Sequence, residues 1–143
     1  MTAHQAALEA LTRYFGYDSF RPGQQGIVEA LLAGRDVLGV MPTGAGKSVC
    51  YQIPAALSPG MTLVISPLIS LMRDQVDALN DLGLPAAFIN TTQTPDEQAM
   101  VFAQAAAGQI KLLYVAPERL ETGRFRDFAA RTPISLIAVD DAH

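Results

Sequence analysis

A run of small residues that includes one cation and one hydroxyl can bind phosphate, and this chain has such a run in Thr43, Gly44, Ala45, Gly46, Lys47 and Ser48. A short apolar strand pattern, Val37–Val40, precedes the run, and a helix-compatible segment follows it. The glycines let backbone N–H groups close around an anion, and the first turn of the helix adds unpaired donors and the positive end of its dipole. A structural turn has no need for the Lys-Ser pair, so the pattern predicts a nucleotide-binding phosphate loop, although Met41 stands where such loops usually begin with glycine.

Two acids near the end of the chain complete the expected nucleotide site. The apolar run Ile134–Val139 is followed by Asp140 and Asp141, and ligands of open α/β sheets collect outside the carboxyl ends of the strands. Such a pair is by itself usually a solvated strand end, but the upstream loop favours a metal site. Lys47 is expected to reach the β- and γ-phosphates of ATP, while the Ser48 hydroxyl and Asp140 hold Mg²⁺. Asp141 is expected to orient the water that attacks the γ-phosphate.

Five short apolar runs predict the strands that position these residues: Val37–Val40, Thr62–Ile65, Ala86–Ile89, Ile110–Val115 and Ile134–Val139. Their starts lie about 25 residues apart, which is typical of strand-helix units in a parallel sheet. Helices are predicted between or before them, at His4–Phe15, Pro22–Leu32, Pro67–Leu82 and from Thr94 to Gly108. Because near-continuous apolar strands need both faces covered, the prediction is an α/β fold with a three-layer parallel sheet.

Composition limits the possible classes of protein. The chain has 143 residues, half of them hydrophobic, which predicts one domain. Its net charge of −4 provides no global positive field, so any binding of nucleic acid must come from local motifs. The single cysteine, Cys50, cannot form an internal disulfide, and no secretion signal or membrane span is visible. We therefore expect a cytoplasmic protein with no membrane partner.

Several motifs, in order along nearly the whole chain, resemble those of one helicase family. Leu11, Phe15-Gly16-Tyr17, Phe20-Arg21 and Gln24 together resemble motif 0 of RecQ DNA helicases. Met41 to Ser48 is similar to motif I of superfamily 2 helicases, and the segment Val139 to His143 is similar to their Asp-Glu-Ala-His box. The segments Ser66 to Val76 and Tyr114 to Leu120 resemble RecQ motifs Ia and Ib. The resemblance implies the first RecA-like lobe, a P-loop NTPase lobe, of a bacterial RecQ helicase.

The resemblance to motif 0 implies three contacts with adenine. Tyr17 and Arg21 would sandwich the ring, since an aromatic face and a planar guanidinium both stack on a base. The side-chain amide of Gln24 would hydrogen-bond the edge of the base, because an amide donates and accepts at once. The alternative is that Tyr17 and Phe20 staple a helix corner while Arg21 opens the next helix.

Motif Ia of the family lies against the backbone of single-stranded DNA. Ser66 and Pro67 stand where a predicted strand turns into a helix, so N–H groups there can meet a phosphate without reading sequence. Arg73 and Gln75 either support this contact or form a solvated helix face.

Motif Ib predicts a second helix start, at Pro117, beside the same sheet edge. Arg119 in this motif either contacts DNA or pairs with Glu118, and Asn90 and Thr91 add short polar side chains after the third strand. The predicted DNA-binding residues are therefore Ser66, Pro67, Arg73, Gln75, Asn90, Thr91 and Arg119.

The chain departs from the family pattern at Asp141, where the family has glutamate. The shorter side chain withdraws the carboxylate by one methylene, and the expected result is slow hydrolysis with ATP binding largely intact. Residues 1–143 are interpreted as an N-terminal ATP-binding lobe, incomplete at its C-terminal end, without the second RecA-like lobe that supplies an arginine finger.

The resemblance implies an ATP-dependent DNA helicase with 3′-to-5′ polarity that unwinds DNA in recombination, repair and the DNA damage response. Its expected partners are single-stranded and partially duplex DNA, and its expected location is the bacterial cytoplasm, at the nucleoid. One alternative is another superfamily 2 translocase or an RNA helicase, which the element from Phe15 to Gln24 argues against. The other is a nucleotide-binding module whose hydrolysis is impaired at Asp141.

Overall fold

A computed structural model describes residues 2–35 and 47–140, with only the backbone described for Lys47. The described residues up to Ser58 form one compact unit, and those from Pro59 form a second. The predicted strand Val37–Val40 lies outside the described residues, as do Met41 and the predicted site residues Thr43, Gly44, Ala45, Gly46 and Asp141.

The first unit is helical in its described part. Helix α1 (Ala3–Ala10) leads directly into a π-helical turn (Leu11–Phe15), and α2 (Gln24–Leu32) and α3 (Lys47–Leu57) follow. Thr2 begins α1 with a capping box, in which its hydroxyl accepts from the Gln5 N–H and the Gln5 side chain accepts from the Thr2 N–H. The buried core of the unit consists of Ala7, Ala10, Leu11, Val28, Val49 and Ile53.

The two helices predicted before the phosphate loop are present, with different starts, and the first of them begins at Ala3 where His4 was predicted. The helix predicted from Pro22 begins at Gln24, because Gly23 before it takes a left-handed conformation with a φ of 87°. The sequence pattern did not distinguish the π-helical turn from the end of an α-helix, since both give similar apolar spacing.

The second unit contains a four-stranded sheet whose order is β2-β3-β1-β4 among the described residues. Its strands are β1 (Met61–Ile65), β2 (Ala86–Ile89), β3 (Leu112–Val115) and β4 (Ile134–Val139). All three pairings are parallel, which confirms the predicted parallel α/β sheet. The predicted strand that starts at Ile110 begins at Leu112 instead, after the Lys111 N–H has donated to the Pro85 carbonyl.

Helices cover both faces of this sheet. On one face, α5 (Pro95–Ala106) and α6 (Gly123–Arg131) enclose a core of Met61, Leu63, Ile89, Ala105, Leu113, Val115, Phe125 and Phe128. The other face meets α4 (Ile69–Asp81), because Phe88 points away from that core and its ring lies under Arg73 of α4. A short 3₁₀-helix (Pro117–Glu121) follows β3. The predicted three layers are therefore present within this unit.

The helix predicted from Pro67 begins at Ile69 instead, after Leu68 as its N-cap, while two other predicted helix ends agree with the structure. Gly83 follows α4 with a φ of 90°, and Thr94 begins α5 with a capping box that includes Glu97. Each helix in residues 2–35 and 47–140 is too short or too polar to span a membrane.

Candidate functional site

The predicted adenine contacts lie on the loop of residues 16–23 and at the start of α2. Gln24 is buried, its Oε1 accepts from the Arg21 N–H at 2.8 Å, and its own N–H donates to the Arg21 carbonyl at 3.0 Å. Tyr17 has 51% of its surface exposed, whereas Phe20 packs against the core of the first unit. Phe20 alone thus fulfils the packing role considered for both aromatic residues, and the Tyr17 ring is accessible to a ligand.

The residues that follow the predicted phosphate loop open a helix, as the sequence predicts. Lys47 is the first residue of α3, and Ser48, in the first turn, is partly buried. First-turn positions carry N–H groups without intrahelical partners, which is the property that anion binding at a helix start requires. Cys50 follows in the same helix, and burial raises the pKa of its thiol.

The second unit brings several predicted site residues to one edge of the sheet. Ser66, Asn90, Ala116 and Asp140 directly follow β1, β2, β3 and β4. The strand ladder continues through three of them, because the N–H groups of Ser66, Ala116 and Asp140 donate to Val115, Ile89 and Ile65. The carboxyl edge is therefore continuous from β2 to β4, the place where open α/β sheets bind ligands.

Asp140 lies on this edge with 5% of its surface exposed. Its N–H donates to the Ile65 carbonyl at 2.8 Å, so the backbone at the predicted metal ligand is fixed by the central strand. A carboxylate and a serine hydroxyl are hard oxygen donors of the kind that Mg²⁺ prefers, so Asp140 and Ser48 fit that ion by chemistry.

The side chains of Ser66 and Asn90 form hydrogen bonds with the turns that follow β1 and β2. The Ser66 hydroxyl accepts from the Leu68 N–H at 3.3 Å, and Ser66 is 2% exposed, while the adjacent Pro67 is exposed. Asn90 is 1% exposed, and its Oδ1 accepts from both the N–H and the hydroxyl of Thr92. These two residues shape turns, and the turns present Pro67 and Thr91 to solvent.

Further amides tie the turn after β2 to its neighbours. Gln93 donates to the Phe88 carbonyl at 2.9 Å, and Gln98 of α5 donates to the Asn90 carbonyl at 3.1 Å. Each bond joins a side chain to the backbone, so both restrain the conformation of the turn.

Arg73 and Gln75 occupy α4 in different environments. The Arg73 guanidinium lies 5.8 Å from the centre of the Phe88 ring, on an exposed part of the helix. Glu97 has a lowered pKa, mainly through hydrogen bonds with Thr94, with a smaller contribution from the positive charge of Arg73. Gln75 is partly buried, and its Oε1 has no hydrogen-bond partner among the described residues.

Arg119 lies in the 3₁₀-helix beside a cavity of about 220 Å³. Its Nε is buried and has no hydrogen-bond partner in the described ranges, where the alternative ion pair with Glu118 is also not formed. The Arg124 guanidinium lies 5.4 Å from the centre of the Phe102 ring. Residues lining the cavity are Ile89, Pro95, Gln98, Phe102, Arg119, Thr122 and Arg124.

Sequence reasoning missed Phe102, Arg124 and Gln98 as neighbours of Arg119. One signal was available, because Thr122 follows motif Ib and begins α6 by accepting from the Phe125 N–H. That cap places the first turn of α6, with Arg124, next to the 3₁₀-helix.

Comparison with known proteins identifies the family. A family model described as DEAD/DEAH box helicase matches residues 21–143. The chain is 51% identical over 137 residues to the ATP-dependent DNA helicase RecQ of Haemophilus influenzae, covering 96% of this chain and 22% of the relative. It is 46% identical to the ATP-dependent DNA helicase RecQ of Bacillus subtilis, over 96% of this chain and 23% of the relative.

A vertebrate relative shows the same pattern at greater distance. The RecQ-like DNA helicase BLM of Xenopus laevis is 40% identical over 90% of this chain and 10% of its own length. The chain thus spans about a fifth of the length of the bacterial relatives. With a family model matched across most of its residues and helicase motifs in the expected order, the chain belongs to the DEAD/DEAH box helicase family.

Proposed function

We propose that this chain is the ATP-binding motor lobe of an ATP-dependent DNA helicase of RecQ type. The observation that carries the proposal is its identity of 51% to a RecQ helicase along 96% of the chain, which includes the element from Phe15 to Gln24. The full-length protein would unwind DNA with 3′-to-5′ polarity in recombination, repair and the DNA damage response, at the nucleoid in the bacterial cytoplasm.

The proposed nucleotide site consists of the phosphate loop with Lys47 and Ser48, together with the two acids that follow β4. Lys47 binds the β- and γ-phosphates of ATP, and Ser48 and Asp140 hold Mg²⁺. The metal, when bound, neutralises negative charge on the phosphates. Asp141 orients the attacking water, and the backbone N–H groups of residues 43–46 surround the phosphates.

On the proposed DNA track, exposed positions at the carboxyl edge contact phosphates. Pro67 and Thr91 mark the two exposed turns. Arg73 of α4 and Arg119 of the 3₁₀-helix supply positive charge on the segments that follow β1 and β3. Ser66 and Asn90 support the track through the turns that they shape. The chain has a net charge of −4, but contacts with DNA phosphates depend on nearby charge. Local arginine side chains can therefore bind DNA in this acidic chain.

ATPase measurements on the full-length protein, with and without single-stranded DNA, test the proposal. We expect DNA to stimulate hydrolysis, and Lys47→Ala to abolish it, while Lys111→Ala, which changes the other lysine of residues 1–143, leaves it intact. Stimulation by RNA but not by DNA would favour the RNA helicase alternative. Strand-displacement assays with a 3′ or a 5′ overhang test the polarity.

Asp141 supports one second candidate, a nucleotide-binding module with impaired hydrolysis. Its aspartate withdraws the carboxylate from the attacking water by one methylene, about 1.5 Å, and such a shift can lower the rate about a hundredfold. ATP binding with flat, DNA-independent hydrolysis would support this candidate and contradict the motor.

A further inference from the structure

Tyr17 is accessible and lies near the start of the loop of residues 16–23. Thr12 holds this start of the loop through hydrogen bonds. The π-helical turn ends at Gly16, which has a φ of 74° and donates its N–H to the Thr12 carbonyl at 3.0 Å. The Thr12 hydroxyl donates to the Tyr17 carbonyl at 2.9 Å. One residue therefore holds the backbone of both Gly16 and Tyr17.

Gln24 fastens the other end of the same loop. Its side chain and its backbone N–H bond the N–H and the carbonyl of Arg21, so Arg21 is held on both sides. Leu11 belongs to the core of the first unit and is 1% exposed. Phe20 packs against the same core and so anchors the loop to it. Between these points, the hydrogen bond from the Thr12 hydroxyl restrains the backbone of Tyr17.

Tyr17 depends on its backbone for orientation more than a buried aromatic residue does. With 51% of its surface exposed, its side chain has less packing to select one arrangement than a buried ring has. A base that stacks on this ring must therefore bear the cost of ordering it, unless the backbone is already fixed. Fixing the Tyr17 carbonyl lowers that cost.

We propose that Thr12 is a positioning residue for adenine recognition, because its hydroxyl holds the Tyr17 backbone in the conformation from which the ring stacks on the base. The inference rests on the proposed nucleotide site and adds to it a residue that contacts no nucleotide. Thr12 acts through Tyr17, and Arg21 and Gln24 are fastened independently of it.

The test uses the full-length protein with Thr12→Val, which removes the hydroxyl at nearly constant shape, and Thr12→Ser, which keeps it. Steady-state ATPase in the presence of single-stranded DNA gives KM and kcat for ATP. Competition by inorganic tripolyphosphate, which has no base, gives its inhibition constant. The melting temperature of each variant reports on folding.

For Thr12→Val we expect the KM for ATP to rise roughly threefold to tenfold, the usual effect of one net hydrogen bond. Its kcat and the inhibition constant of tripolyphosphate stay unchanged, because the lost interaction is one of base binding. Thr12→Ser behaves as the parent protein. A general loss of structure would instead change tripolyphosphate binding and the melting temperature.

Tyr17→Ala separates this inference from the proposal on which it rests. If Tyr17→Ala raises the KM for ATP and Thr12→Val does not, Thr12 has no positioning role. If Tyr17→Ala also leaves the KM unchanged, the adenine contact itself is wrong. A Thr12→Val effect that Thr12→Ser fails to rescue would likewise overturn the role of the hydroxyl.

Discussion

Asp141 stands where the family has glutamate. We expect this one difference to lower the rate of ATP hydrolysis. In the full-length protein, Asp141→Glu should raise kcat for ATP by up to about a hundredfold, because it restores the reach of the carboxylate toward the attacking water. The KM for ATP should stay nearly constant. Asp140→Glu lengthens the neighbouring acid and serves as the control, with a lower kcat expected. Equal rates for the parent and Asp141→Glu would contradict the hypothesis.

The buried thiol of Cys50 is expected to make the stability of the protein depend on pH. Burial raises the pKa of its thiol above the ordinary value of 9.0, so the folded protein keeps a proton that the unfolded chain loses. The resulting stabilisation is complete below pH 9.0 and is lost as the pH rises toward the folded pKa. Melting temperatures between about pH 8 and pH 10 should fall less steeply for Cys50→Ala than for the parent protein. Parallel curves would show that the thiol ionises equally in both states.

The sequence predicted the residue types of the candidate site better than their contacts. The resemblance to RecQ motifs 0 and Ia indicated Gln24 and Ser66 as polar groups near ligands, and the position of Asn90 after a predicted strand indicated that residue. Neither indication revealed that each side chain bonds nearby backbone, at Arg21, Leu68 and Thr92. An amide or hydroxyl has the same pattern in a sequence whether it faces a ligand or a turn, and only the folded neighbours decide between them.

At the scale of elements, the parallel strands and their helices were predictable because apolar periodicity and capping residues are local signals. The order β2-β3-β1-β4 was not predicted, since it depends on which distant strands pair. The start of α2 at Gln24 and of β3 at Leu112 also depended on local backbone geometry that periodicity does not report.

Gly60 shows how tightly β1 and β4 approach. Its N–H donates to the Ser135 hydroxyl at 2.8 Å, and a Cβ on Gly60 would lie 2.5 Å from that oxygen and 3.0 Å from the Pro133 carbonyl. Gly60→Ala should therefore cost about 1–3 kcal/mol of unfolding free energy. Gly26→Ala, in open space within α2, should stabilise by about 0.5–1 kcal/mol. Urea unfolding measures both, and equal effects would contradict the close approach.

Arg119 allows a test of the DNA track with a control from the opposite edge of the sheet. Arg119→Gln should weaken single-stranded DNA binding about threefold to tenfold and lower the salt dependence by about one counterion. Arg131 ends α6 shortly before β4 begins, so it lies near the amino-terminal edge, and Arg131→Gln should change neither quantity. Fluorescence anisotropy at several salt concentrations gives both values. An equal loss in the two variants would argue against the track.

At the scale of the whole molecule, the chain spans about a fifth of the bacterial relatives it matches. Motor ATPases need an arginine from a second lobe to stabilise the charge that develops in the transition state. Residues 1–143 expressed alone should therefore hydrolyse ATP at least about a thousandfold more slowly than the full-length protein. Single-stranded DNA should not stimulate the short protein. A short protein as active as the full-length one would refute the requirement for a second lobe.

Among the described residues, β1 has a paired strand on each side, and this position has a consequence for biosynthesis. Thr62 pairs with Leu112 on one side and with Leu136 on the other, so both neighbours of β1 leave the ribosome long after it does. At translation speeds of about 5–20 residues per second, the backbone of β1 waits several seconds for the first of these two strands. During that interval the nascent chain exposes β1 as an apolar, aggregation-prone segment. The yield of the protein in cells should therefore depend on chaperones that bind this segment.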